Sequence, residues 1–70
     1  MDETRIADVK QLAGEFETTE ERVRQVIENL NASVAPSRQK NIYLLPYGRL
    51  MEAKARLQVE KERREAGKNN

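Results

Sequence analysis

The sequence predicts a small, mainly α-helical domain: two short helices joined by a tight turn, a short two-stranded hairpin, and a charged C-terminal helix. Three observations predict it. Val9, Leu12, Ala13 and Phe16 recur at helical spacing, break at Glu17-Thr18-Thr19, and resume in phase as Val23, Val26, Ile27 and Leu30. The apolar run Ile42-Tyr43-Leu44-Leu45 lies between Pro36 and Pro46, the signature of a short strand. From Tyr47 onward, Leu50, Met51 and Leu57 form a narrow apolar stripe that ends in the almost wholly charged VEKERREAGKNN.

Residues 1–5 carry no pattern and read as a loose lead-in. A first helix is expected from Ile6, through Val9 and Leu12/Ala13 to Phe16, within a domain spanning 6–58. Gly14 falls inside it at a cost of about 1 kcal/mol against Ala, and reads as an exposed residue without a role. Thr19 suits the cap of a second helix running from about Glu20 to Leu30, with Glu20 and Glu21 at the positive end of its dipole; Thr18 with Glu21 is the alternative cap.

The polar stretch after Leu30 leads to a hairpin with Val34-Ala35 on one arm, Ile42–Leu45 on the other, and a tip near Ser37-Arg38-Gln39-Lys40. Either Tyr43 and Leu45 or Ile42 and Leu44 should close the core over Phe16 and Val26. Pro46 suits the start of the third helix, which should lean on the pair through Leu50, Met51 and Leu57. Residues 59–70 are expected to project as a charged extension, with Glu60–Arg64 and Lys61–Glu65 pairs along it and Gly67 ending it. A plain three-helix bundle is the structural rival to this hairpin-bearing arrangement.

Seventy residues make one domain at most, with a small core. The absence of Cys and His removes disulfides, thiolate metal sites and every His-dependent triad or relay, so no metal or cofactor is expected. Ser33, Ser37 and Tyr47 have no base partner at a motif spacing, and an enzyme is not expected. No apolar run approaches the roughly 20 residues of a membrane span, and Met1-Asp2-Glu3-Thr4 is acidic where a signal peptide would be basic. A cytoplasmic location with no membrane partner is the expectation.

Two helices across a short turn make the helix-turn-helix unit, whose second helix enters the DNA major groove in families that use it. Thr19, Arg22, Arg24, Gln25 and Glu28 are the candidates to face the groove, since Arg and Gln make paired bonds to guanine and adenine edges. A solvated helix face is the plain alternative. The hairpin would then be a wing whose Arg38 and Lys40 neutralise phosphates, the plain alternative being a basic solvent loop. Charge is uneven: residues 1–31 carry a balance of −4 and residues 32–70 one of +5, so the second half must supply most attraction for phosphate.

The run from Thr19 to Val26 resembles the recognition helix of bacterial primary sigma factors. The whole order of elements is similar to the winged helix-turn-helix of MerR-type regulators and phage excisionases. The nearest resemblance is to the N-terminal domain of lambdoid phage small terminase subunits. It rests on Lys10-Gln11-Leu12-Ala13 followed by Phe16, on Tyr43 at the end of the wing, and on Glu60-Lys61-Glu62-Arg63-Arg64-Glu65 in the exit helix. The chain departs from these families where Glu17 stands in place of a turn Gly, which implies strain or a longer turn, and in lacking a Gly-rich wing tip and an aromatic in the second helix. The resemblance implies sequence-specific binding of double-stranded DNA by a homodimer or higher oligomer, in packaging, excision or transcription regulation. Further readings stay open: a protein-interaction adaptor whose acidic helix-turn-helix face meets a protein, and a C-terminal helix whose basic surface of Arg49, Lys54, Arg56, Lys61, Arg63 and Arg64 runs along a nucleic-acid backbone, takes a protein partner or dimerises, a solvated charged face being the plain alternative.

Overall fold

The computed structural model describes residues 3–30, 35–36 and 41–68, and its order of elements is strand, helix, helix, strand, strand, helix. Strand β1 (Thr4–Asp8) leads directly into α1 (Val9–Glu15). Helix α2 (Glu20–Asn29) follows, then β2 (Ala35–Pro36), β3 (Ile42–Pro46) and the 22-residue α3 (Tyr47–Lys68). The result is a small mainly-α domain with an antiparallel sheet in the order β1-β3-β2.

The opening strand corrects two expectations at once. Residues 4 and 5 belong to β1 rather than to a loose lead-in, and the first helix begins at Val9 rather than at Ile6. With the strand first, the order is not that of the winged helix-turn-helix read from the sequence. Ile6 fitted the helical spacing only by coincidence: it is 67% exposed and pairs with Leu44 on the outer face of the sheet. The physical divide is Asp8, whose extended backbone and carboxylate cap α1, the Oδ1 accepting from the Gln11 N–H at 3.2 Å. The ladder continues past both strand ends, since Val9 N donates to Asn41 O at 2.8 Å and Tyr47 N to Glu3 O at 2.7 Å.

The antiparallel pairing expected of the hairpin is present, with Ala35 opposite Leu44 and Pro36 opposite Tyr43, so that the first arm takes in Pro36; Val34 and the tip at 37–40 lie outside the described residues. Of the two alternations left open, the sheet turns Leu45 fully into the core and packs Tyr43 partly against it. A single cluster then joins Ala7 of β1, Val9, Leu12 and Ala13 of α1, Val23, Val26 and Ile27 of α2, and Leu50, Ala53 and Leu57 of α3. Met51 is not in it. That residue is 44% exposed, while Ala53 is fully buried in the cluster.

The charged end of α3 also differs from expectation. The helix passes through Gly67 to Lys68 without stopping, and Glu60, Lys61 and Arg64 are engaged with the helix pair and its turn rather than projecting. Glu60 is paired with Arg22 of α2, not with Arg64, although Lys61 does lie 3.9 Å from Glu65 as expected.

The turn between α1 and α2 explains the third contact. Phe16 caps α1, Thr18 N donates to Ala13 O at 2.9 Å, and Glu17 N donates to Gly14 O at 3.4 Å, the paired reverse bonds of a Schellman ending. Such an ending requires a left-handed residue after the cap, and Glu17 takes it with φ 53°. Arg64 lies across this turn, its Nη2 donating to the carbonyls of Phe16 at 2.8 Å and Glu17 at 3.1 Å. A cation is thus placed at the negative end of the α1 dipole by a residue 47 positions downstream of Glu17.

Candidate nucleic-acid interface

Helix α2 is set by its own first turn. Thr19 is extended, with φ −86° and ψ 154°, and its Oγ1 accepts from Arg22 N at 3.1 Å. Val23, Val26, Ile27 and Leu30 are buried on one side of it. At 100° per residue this leaves Glu21, Gln25 and Glu28 directly opposite, and all three are exposed. The two arginines fall on the flanks between these faces, one to each side.

Arg22 leans toward α3. Its Nε donates to both carboxylate oxygens of Glu60, at 3.1 and 3.2 Å, and its Nη2 approaches Oε2 at 2.5 Å. The Arg22 bond holds the Glu60 carboxyl below its ordinary range, against a smaller opposing effect of burial, with Arg64 and Arg63 adding to the lowering. The same bond raises Arg22 above the ordinary arginine value. Its remaining Nη1 donates to Gln25 Oε1 at 3.2 Å.

Arg24 leans the other way, toward the start of β3. Its Nη2 donates to Asn41 Oδ1 at 3.2 Å and lies 3.6 Å from Glu20 Oε1. Thr19 is exposed, but its hydroxyl oxygen is occupied as the helix cap. Of the residues proposed from sequence, Gln25 and Glu28 therefore stand on the outermost face. Arg22 and Arg24 are side by side with them but held by partners, and Arg38 and Lys40 lie outside the described residues.

Sequence reasoning missed the cleft beside Arg22. Between α2 and α3 lies an open cleft of about 430 Å³ lined by Arg22, Glu52, Arg56, Val59, Glu60 and Arg63. Its signal in the sequence was the seven-residue spacing of Arg49, Arg56 and Arg63, which puts them in one row along a helix. No signal of local spacing could have linked Arg22 to Glu60, or Arg64 to the turn at Phe16 and Glu17.

No helix of the described residues is long and apolar enough to cross a membrane. Comparison with protein-family models, with curated proteins and with solved structures returned no match.

Proposed function

We propose that this domain binds double-stranded DNA in a sequence-dependent way, through the pair of helices α1 and α2 set across a tight turn. In this reading α2 enters the major groove and the 36–42 wing meets the backbone. The observation that carries it is the division of α2 into a face sealed into the core and an opposite face open to solvent around Gln25. An exposed Gln at mid-helix has the donor and acceptor needed to pair with an adenine edge. Supporting it, the helix pair is held by Schellman and N-cap bonds and clamped by Arg22–Glu60 and Arg64, so the face is offered on a rigid support. The resemblance to phage and MerR-type regulators extends the proposal to a homodimer acting in DNA packaging, excision or transcription control, without a cofactor and without catalysis, in the cytoplasm.

A second reading is favoured by one specific observation: Glu21 and Glu28 flank Gln25 on the outermost face, while the arginines of α2 are paired with Glu60 on one side and with Asn41 and Glu20 on the other. An acidic face of that kind suits a protein partner with a basic surface. Fluorescence anisotropy with labelled duplex at low and physiological salt separates the two. DNA binding predicts an affinity that falls steeply as salt rises; affinity indifferent to salt, or no binding at either concentration, leaves the adaptor reading.

A further inference from the structure

Beyond the wing and α2, the arginine row of α3 has the placement of a phosphate contact. Arg49, Arg56 and Arg63 follow one another at intervals of about 10 Å along the helix. Arg49 and Arg56 keep about half of their side-chain surface exposed, 51% and 53%, and share one carboxylate, that of Glu52, at 3.0 and 3.7 Å. Three guanidinium groups against one acid leave the row with surplus positive charge.

The row borders α2. Arg56 and Arg63 share the cleft with Arg22, and Arg22 bonds to Gln25, so the surface passes without a break from the open face of α2 to the arginines of α3. Packed helices lie about 8–10 Å apart. A major groove is about 12 Å wide. With α2 in the groove, a helix one packing distance to its side lies over the phosphate strand that forms the groove wall. The ion pair between Arg22 and Glu60 and the bonds from Arg64 to Phe16 and Glu17 hold α3 against the α1–α2 pair.

We propose that Arg56 and Arg63 of α3, extended by Arg49, grip the DNA phosphate backbone beside the groove that α2 enters. This rests on the DNA-binding reading and adds that the exit helix, not the wing alone, supplies backbone contacts. It also resolves the charge imbalance: the acid-rich first half presents the reading face, and the basic second half offsets its repulsion from the polyanion.

The test is the salt dependence of binding to a short mixed-sequence duplex, measured for the unaltered chain, for the Arg56→Gln/Arg63→Gln double variant, for Arg56→Lys/Arg63→Lys, and for Lys54→Gln. Lys54 lines a small cavity with Ile6, Asp8 and Leu12 on another side of α3, and serves as a control for the loss of one positive charge, to be compared with the change per arginine. The Gln pair is expected to lower the slope of log affinity against log salt by about 0.9 per arginine. The Lys pair and Lys54→Gln should keep the slope. Salt-dependent binding by the unaltered chain with the same slope in the Gln pair overturns this inference and leaves the DNA reading in place, as does an equal drop in Lys54→Gln. No binding by the unaltered chain at low salt removes both.

Discussion

Arg22 and Glu60, 38 residues apart, link α2 to α3, with the guanidinium Nε and Nη2 both donating to one carboxylate. The link is two-edged for function. It fixes α3 against the α1–α2 pair, and it engages elsewhere one of the two arginines that the sequence offered as base contacts.

Its pH dependence follows from the direction of the Glu60 shift. The folded carboxyl titrates below its unfolded counterpart, so its contribution to stability is complete above the unfolded value of about 4.3 and is lost as pH falls through the lower folded value. Thermal melts of the unaltered chain and of Glu60→Gln should therefore differ by a constant amount near neutral pH and converge below about pH 4. The pair is partly solvent-exposed, so the separation is small and should shrink in high salt. A gap that widens on acidification would contradict the assignment.

Glu17 occupies a left-handed backbone at φ 53°, where a side chain costs about 1–2 kcal/mol of steric strain that Gly avoids. Glu17→Gly should raise the unfolding free energy by about 1 kcal/mol in urea titration, even though it removes the weak contact to Lys61 at 4.0 Å. A destabilised variant would mean that Arg64 and Lys61 hold the turn through the side chain rather than through the carbonyls.

Gly14 sits in α1 with no atom within 4 Å of the position a Cβ would take. Gly14→Ala should stabilise by about 0.5–1 kcal/mol through the backbone entropy of the unfolded chain. The same titration checks it, and the gain should add to that of Glu17→Gly only in part, because the two residues share the Glu17–Gly14 reverse bond.

Leu45 is fully buried where β3 meets the helices. Leu45→Ala should cost about 2–5 kcal/mol, a large part of what so small a domain has available. Ile6→Thr, at the exposed position opposite Leu44, should change stability by no more than about 0.5 kcal/mol. Equal losses in both would place Ile6 in a covered surface.

These positions also mark how far the fold could be read from the residues. The helix pair was legible because Val9 to Leu30 repeats at helical spacing with Thr19 as a visible cap, and the strand at 42–46 because prolines bracket its apolar run. Strand β1 was hidden because Ile6 and Val9 also fit a helix, and only pairing with β3, more than thirty residues away in sequence, selects the extended form. The open side of α2 was legible from periodicity. Which way its arginines lean was not, since Glu60 and Asn41 reach them through tertiary packing. The same holds for Arg64, whose local partner Glu60 is taken by a more distant one.

The central claim is that the open face of α2 reads base pairs. Selection of bound duplexes from a random-sequence pool, run in parallel with the unaltered chain and with Gln25→Ala, tests it most directly. The account predicts a shared motif for the unaltered chain and relaxed preference at one base-pair position, with salt-dependent binding retained, for the variant. Recovery of the same motif by both, or of no motif by either, would contradict it.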